Sequence, residues 1–501
     1  MSTAARSREK VPVPQKLAFG AGHLVLNLLP GALGIFMFFL LTAFGMDPFL
    51  AGLLGGLPRI FDAITDPIMG FISDNTKSRW GRRRPYIFIG AIMSGILFAL
   101  LWQMDPENSQ DYNFWYFLIL SMVFLIGNTM YATPLIGLGY EMTSDYNERT
   151  NLMAFSQVLG QIAWMIVPWF WVIIASPDLL PLSEGELDAI AALGLSEEET
   201  QKLTLESLQA NGVRKLSIIV GLICMVLGVL PALLCRGIDS AHMQNRKEIT
   251  FSTMFSNLID LVKGIVQVMK SKPFVKLCAA TFLVFNGFQL VASFSFFIIV
   301  FYMFNGDYAL AGNWPAWFTT MTAIATAFLV IPIISWMANK YGKRKAFIYS
   351  TMLSIIGYFL KWWGFNPDNP WLIFMPIPFM AFGLGGLFTL MMSMTADVCD
   401  LDELENGMPR KEGTFGAIYW WMVKLGQALA LVLGGLVLKL VGFDQNAMTQ
   451  TAETMTNLRI ADILIPVITA AMAIWVMWSY SLSEERAREI KAELEARRGK
   501  I

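Results

Sequence analysis

Residues 59–90 read RIFDAITDPIMGFISDNTKSRWGRRRPYIFIG and place charges inside an apolar helix. Arg59, Asp62 and Asp66 stand in a segment that is apolar enough to cross a membrane. On insertion scales, an ionised side chain at the centre of such a helix costs about 2.5–3.5 kcal/mol. Three such residues within about two turns therefore need a functional reason. The basic loop at 74–84 indicates that this end of the helix lies in the cytoplasm.

The composition of the whole chain agrees with a membrane protein. Of 501 residues, 55% are hydrophobic and 15% are charged, whereas soluble domains carry about 25% charged residues. A net charge of −1 excludes a general basic surface for nucleic acid. Four scattered cysteines and two histidines leave no metal-ligand spacing. These counts exclude a disulfide framework and a zinc site.

Twelve apolar runs of about 20 residues predict twelve membrane-spanning helices. They cover residues 18–45, 50–73, 85–104, 114–140, 151–175, 216–235, 273–303, 315–338, 346–365, 370–396, 414–442 and 458–481. The first run is too long for the apolar core of a signal peptide, so we expect it to be retained. The predicted fold class is an all-α polytopic membrane protein.

The distribution of Lys and Arg predicts cytoplasmic N- and C-termini, because most of the 37 basic residues then fall in inside loops. The predicted parts are a cytoplasmic tail (1–17), a six-helix half (18–235), a central cytoplasmic loop (236–272), a second six-helix half (273–481) and a cytoplasmic helix (482–501).

Two of the predicted loops have helical character of their own. The acidic outside loop 176–214 contains two capping boxes, Ser183 with Glu186 and Ser196 with Glu199, which predict a small helical hairpin. A solvated linker is the alternative for this loop. The central loop has apolar residues at helical spacing, which predicts a helix on the membrane surface.

A basic motif occurs twice, after the second helix of each half. Residues 78–84 read SRWGRRR, and residues 339–345 read NKYGKRK. Matching Gly and aromatic positions favour an internal repeat over the general excess of bases in inside loops. Two parallel six-helix repeats predict the major facilitator architecture, in which two halves rock about a site at mid-membrane. The motif residues predicted for a cytoplasmic gate are Gly81, Arg82, Arg83, Arg84, Gly342, Lys343 and Arg344.

Asp62 and Asp66 lie one turn apart and share a helix face with Arg59. The local charge is negative, so either another cation completes the site or one carboxylate keeps a proton. Carboxylate oxygens suit an alkali cation, and the Thr65 hydroxyl lies between the two acids. The sequence therefore predicts binding of Na⁺ or H⁺ at Asp62 and Asp66. An Arg–Asp clamp that merely joins helices is the alternative.

Lys424 stands in the middle of the eleventh predicted helix and needs either a carboxylate or a neutral state. Asp62 and Asp66 are predicted to be the only acids well inside the membrane, so we expect Lys424 to pair with them across the halves. Lys424 would then compete with the cation and couple its binding to helix movement. Snorkelling of Lys424 to an interface is the alternative.

Polar side chains at similar depth predict a substrate cavity between the halves. These candidates are His23, Asn27, Asn128, Tyr131, Gln157, Trp164, Asn286, Gln289, Tyr419 and Gln427. As a set they suit a neutral polar ligand, and the Trp164 ring is suited to stacking on a sugar. Taken singly, such groups more often join helices by hydrogen bonds.

At this point the chain resembles the glycoside–pentoside–hexuronide:cation symporter family. The resemblance rests on residues 59–90, on LGYEMTSDYNERTNL (138–152), and on 395–430, which includes TADVCDLDELENG and KEGTFGAIYWWMVKLGQALA. It implies that Asp62 and Asp66 bind the coupling cation. The resemblance further assigns Thr129 to the cation site, Lys424 to coupling, and Glu141, Arg149 and Asp397 to the cytoplasmic gate.

The sugar-binding part of the family pattern is altered in this chain. The first helix has no acid, and Ala132, Ile136 and Ser156 stand where the family has Asp, Trp and Arg. An Asn of the cation site is replaced by Thr65.

We therefore expect a non-enzymatic, monomeric symporter of the inner membrane. It would import a sugar or glycoside by alternating access, with Na⁺ or H⁺ as coupling ion, no other cofactor and no nucleic-acid partner. The alternatives are a carrier of an amphipathic, lysophospholipid-like solute and a non-transporting sensor.

Overall fold

The computed structural model describes residues 10–142, 146–235, 269–406, 412–482 and 484–498, with scattered residues of 249–266. All regular elements within these ranges are helical. Nine helical segments of the described chain are long and apolar enough to cross a membrane. The predicted all-α, multi-pass class is therefore confirmed, whereas the number twelve and the cytoplasmic termini stay predictions.

The chain forms two compact units. The first comprises the residues up to Met46 together with Phe61–Leu258, and the second comprises Asp47–Ile60 and Ile259–Ile501. The boundary falls within the second helix, whose first half packs in the second unit. The helices up to residue 235 are α1 (Val13–Thr42), α2 (Pro48–Asn75), α3 (Arg84–Leu101), α4 (Gln110–Glu141), α5 (Tyr146–Ile166), α6 (Trp169–Ala175), α7 (Glu184–Ala192) and α8 (Glu197–Leu234).

The rest of the chain begins with a helix that changes its winding. α9 (Lys272–Phe297) continues as a π-helical turn at Ile298–Met303, a feature that often marks functional sites. The helices after it are α10 (Tyr308–Ala311), α11 (Trp314–Ala325, followed by a second π turn at Thr326–Val330), α12 (Ile331–Tyr341), α13 (Lys343–Gly364), α14 (Ile377–Asn406), α15 (Glu412–Leu440), α16 (Ala452–Trp478) and α17 (Glu484–Arg498). Apolar side chains including Phe274, Phe347 and Phe415 form the core of the second unit.

The predicted span 151–175 is interrupted. α5 ends at Ile166, and α6 begins after Pro168, because proline has no N–H to continue the helical hydrogen bonds. In the predicted C-terminal segment, α17 covers Glu484–Arg498, and the cytoplasmic location of this segment stays a prediction. The predicted surface helix of the central loop lies largely outside the described residues.

Both predicted capping boxes are confirmed. Ser183 begins α7 and Ser196 begins α8, each exchanging hydrogen bonds with the glutamate three residues later. The Ser183 hydroxyl and backbone N–H donate to the Glu186 carboxylate at 2.7 Å each. These bonds lower the pKa of Glu186. The hairpin is therefore held at both of its helix starts.

Arginines join α3 to α8 in the first unit and α13 to α16 in the second, near both ends of each helix pair. In the first unit, Arg84 at the start of α3 donates to the carbonyls of Ala232 and Leu233 at the end of α8. Arg214 of α8 donates in return to the carbonyl of Met104, just after α3. Each bond satisfies a carbonyl at or near a helix C-terminus that would otherwise lack a partner.

The second unit repeats this arrangement. Arg344 of α13 donates to the carbonyl of Trp478 at the end of α16, and Arg459 of α16 donates to the carbonyl of Trp362 near the end of α13. The motif glycines also match, because Gly81 has φ 89° and Gly342 has φ 82°, a region that favours glycine. The two units therefore share the glycine turn of the repeated motif and an arginine contact at its end, although the contact comes from the seventh motif residue in the first unit and from the sixth in the second.

Candidate functional site

Asp62 is the centre of the candidate cation site in the first unit. Its side chain is 3% exposed, and the hydroxyl of Thr129 on α4 donates to its Oδ1 at 2.8 Å. The Thr65 hydroxyl lies 3.3 Å from that of Thr129 and donates to the backbone carbonyl of Asp62 at 3.2 Å. The buried carboxylate thus has one hydroxyl in direct contact, and a second hydroxyl lies next to the first. Oxygen atoms of this kind are hard ligands for a cation.

A second carboxylate lies one turn further along α2. Asp66 is half-buried and accepts a hydrogen bond from the Thr133 hydroxyl at 3.4 Å. Thr133 is not among the site residues predicted from the sequence. Its spacing offers a signal, because Thr129 and Thr133 are one turn apart on α4, as Asp62 and Asp66 are on α2. The described residues contain no cluster of three or more His, Cys, Asp or Glu side chains that could hold a metal, so hydroxyls would complete a cation site here.

The two predicted charge partners belong to the second unit. Arg59 and Lys424 are both half-buried and both take part in interactions of their own. Their predicted coupling to Asp62 and Asp66 stays a prediction.

The candidate substrate residues of the first unit mostly bond to one another. Trp164 donates its indole N–H to the Asn27 side-chain oxygen at 3.0 Å, and Asn27 donates to the backbone carbonyl of His23 at 2.8 Å. Tyr131 is fully buried and donates to the backbone carbonyl of Gly22 at 2.9 Å. Among the described residues, His23 Nε2 and Asn128 Oδ1 are buried atoms without a hydrogen-bond partner. The binding of a substrate by these residues stays a prediction.

In the second unit, some of the candidate substrate residues are buried and others are half-buried. Asn286 is buried and donates to the backbone carbonyl of Gly426 at 3.2 Å. Tyr419 is fully buried, whereas Gln289 and Gln427 are half-buried. The side chain of Gln157, in the first unit, lies outside the described residues.

The gate candidates form contacts within their own units. Lys343 pairs with Asp397 on α14 at 2.6 Å. The Arg83 guanidinium lies against Gly137, where an added Cβ would collide with it. Arg82 has contacts of its own. The side chains of Glu141 and Arg149 lie outside the described residues.

The expectation that Asp62 and Asp66 are the only acids well inside the membrane is wrong. Asp462 on α16 is 1% exposed and forms an ion pair with Lys361 on α13, which is fully buried. The sequence analysis began this helix at residue 458 and so placed Asp462 at its end. The Thr451 side chain caps the helix earlier, so that α16 begins at Ala452 and Asp462 lies well inside it.

The described chain is all-helical, with nine helices long and apolar enough to cross a membrane, and this defines a multi-pass membrane protein. Solved structures agree on the fold. A bacterial homologue of the human lysosomal transporter Spinster, in an inward-facing and unoccupied conformation, aligns with a TM-score of 0.65 at 14% identity, over 93% of this chain and 97% of that one. A nucleoside transporter aligns with a TM-score of 0.60 at 14% identity, over 93% of this chain and all of that one.

The family follows from the sequence match. The model of the MFS/sugar transport protein family matches residues 18–484, so the chain belongs to this melibiose permease-like family. An uncharacterized symporter of Synechocystis is 27% identical, over 98% of both chains. A sodium-dependent lysophosphatidylcholine symporter of Danio rerio is 23% identical, over 96% of this chain and 89% of that one.

Proposed function

We propose that this protein is a cation-coupled symporter of the bacterial inner membrane, with Na⁺ or H⁺ bound at Asp62 and Asp66. The observation that carries the proposal is the buried Asp62 carboxylate with the Thr129 hydroxyl 2.8 Å away. Two acids on one helix face repel each other when both are ionised, so a bound cation or proton stabilises the pair. The sodium-dependent relatives support a coupling cation.

The transport cycle proposed here uses twelve membrane helices with both termini in the cytoplasm. The cation would organise Asp62, Thr65, Thr129 and Asp66, and Thr133 would extend the site by one turn. Lys424 would compete with the cation for the same carboxylates. The basic loops at 78–84 and 339–345 would close the cytoplasmic side, with the Lys343–Asp397 pair among their contacts.

Two solute classes are candidates for co-transport. A sugar or glycoside is the first, because the matched family includes sugar transporters. An amphipathic solute is the second, and a specific observation favours it. Ala132, Ile136 and Ser156 stand at the positions of sugar-binding residues, and Ile136 is 41% exposed. A site built from hydrogen-bonding groups discriminates among hydroxylated ligands, and an apolar replacement loses that discrimination.

Uptake into proteoliposomes tests the proposal. Sugars, glycosides and lysophospholipids would be offered with an inward Na⁺ gradient, with an inward H⁺ gradient, and with neither. We expect one solute class to accumulate only under a cation gradient. Equal uptake with and without both gradients contradicts cation coupling.

A further inference from the structure

The buried ion pair Lys361–Asp462 is not needed to join its two helices. In the repeat that matches SRWGRRR (78–84) with NKYGKRK (339–345), Lys361 corresponds to Leu100. In the same way, Ser217 follows Arg214 by the interval that separates Asp462 from Arg459. The first unit has a leucine and a serine where the second unit has Lys361 and Asp462. It nevertheless forms the same kind of arginine contacts between α3 and α8.

A buried ion pair that the fold does not require is costly. Taking both charges out of water costs more than their attraction returns unless further hydrogen bonds complete the site. Lys361 gains one long contact, to the Ser295 hydroxyl at 3.4 Å. Among the described residues, Asp462 Oδ1 is buried without a hydrogen-bond partner. The pair is therefore incompletely satisfied.

Arg459 adds a second positive charge to the cluster. Its guanidinium lies 4.0 Å from the centre of the Tyr302 ring and 4.2 Å from that of the Trp362 ring. Tyr302 is carried on the π-helical turn after α9. With Lys361 and Asp462 ionised, the cluster has a net charge of +1, and the aromatic faces offset only part of it. Loss of one proton from the pair leaves the cluster neutral.

Two buried polar atoms of the cluster lack hydrogen-bond partners in the part of the chain that the structure describes. Arg459 Nε is a buried donor and Asp462 Oδ1 a buried acceptor, and neither has a hydrogen-bond partner among the described residues. Buried waters commonly satisfy such groups.

The titratable and charged groups facing Asp462 come from three elements. Lys361 and Tyr358 are on α13, Arg459 is on its own helix α16, and Tyr302 is on the π turn after α9. We propose that Lys361 and Asp462 form a proton-exchange site in the second unit, separate from the Asp62/Asp66 cation site. One proton, held on Lys361 Nζ or passed to Asp462, is released to bulk water and taken up again.

Hydrogen-ion titration of the folded, detergent-solubilised protein tests this proposal. Ordinary Asp and Lys side chains titrate near 3.9 and 10.4 and are silent between about pH 5.5 and 9. We expect wild type to exchange about one proton more in this window than the double variant K361L/D462S, which copies the first unit. The matched control K439L/D47S removes an exposed ion pair of the same unit and should leave the titration in this window unchanged.

A second variant tests whether Lys361 holds the exchanging proton. It also keeps the proposal testable if the first variant does not fold. K361R keeps the positive charge opposite Asp462, but a guanidinium is not deprotonated in proteins. The extra proton should therefore disappear in K361R as well, and melting temperatures would verify that each variant is folded. An unchanged proton count in either folded variant overturns the proposal and leaves a fixed ion pair.

Discussion

At the candidate cation site, two threonines on α4 face two aspartates on α2 in matching turns. Thr129 donates to Asp62 at 2.8 Å, and Thr133 donates to Asp66 at the longer distance of 3.4 Å. Charge-assisted hydrogen bonds weaken with distance. The two hydroxyls should therefore contribute unequally to cation binding.

Thr129→Val should weaken Na⁺ binding about tenfold, which corresponds to about 1.4 kcal/mol. The substitution removes both a donor to Asp62 and an oxygen ligand. Thr133→Val should have a smaller effect, and Thr322→Val should have none, because the Thr322 hydroxyl donates within its own helix. The Na⁺ concentration that half-maximally raises the melting temperature measures the effect. Identical midpoints for Thr129→Val and wild type contradict this account.

Single residues also show what the sequence can predict. The i,i+4 spacing of Asp62 and Asp66 is sufficient to propose a shared face, and the same spacing was available for Thr133. The Lys361–Asp462 pair was not predictable in this way, because its partners lie on different helices and the exact start of α16 decides the depth of Asp462. Hydropathy places a helix to within a few residues, and that error is as large as a turn.

At the scale of elements, glycines allow α2 and α15 to approach closely in the second unit. A Cβ added at Gly52 would lie 2.7 Å from the carbonyl oxygen of Leu431, and one at Gly56 would lie 2.8 Å from that of Ala428. Both neighbours are backbone atoms that cannot rotate away. The Gly52–Gly56 spacing is the small-residue pattern of membrane helix pairs, so this contact could be predicted from the sequence, although its partner helix could not.

Gly52→Ala should lower the stability of the protein by about 1–3 kcal/mol, because the added methyl overpacks the helix contact. Gly34 on α1 is a matched control, since a Cβ there meets nothing within 4 Å. We expect Gly34→Ala to leave the melting temperature in detergent unchanged or to raise it slightly. If Gly52→Ala has the same melting temperature as wild type, the stability of the protein does not depend on this close approach of α2 and α15.

At the scale of the whole molecule, the chain has two units with matching local structure. The glycine turns and the arginine contacts recur, whereas the buried charges differ. The first unit holds Asp62 and Asp66, and the second holds Lys361, Arg459 and Asp462. The repeat was predictable from two seven-residue motifs. The different electrostatics of the units depend on burial, which the motifs do not report.

The predicted orientation can be tested by cysteine labelling. The four native cysteines are buried, so they should not react with a membrane-impermeant maleimide. In intact cells, Gln201→Cys on α8 should be labelled, because the Lys and Arg distribution places it outside. Lys345→Cys at the start of α13 should be labelled only after permeabilisation. If Lys345→Cys is labelled in intact cells and Gln201→Cys only after permeabilisation, the predicted orientation is wrong.

Cation-driven accumulation by aspartate variants tests the central claim most directly. The solute that wild-type protein accumulates in proteoliposomes would be offered to Asp62→Asn and Asp66→Asn under the same cation gradient, with melting temperatures confirming that both are folded. We predict that neither variant concentrates the solute above the outside level, because each has lost a carboxylate of the coupling site. Accumulation by both variants to the wild-type level contradicts the assignment of Asp62 and Asp66 as the coupling site.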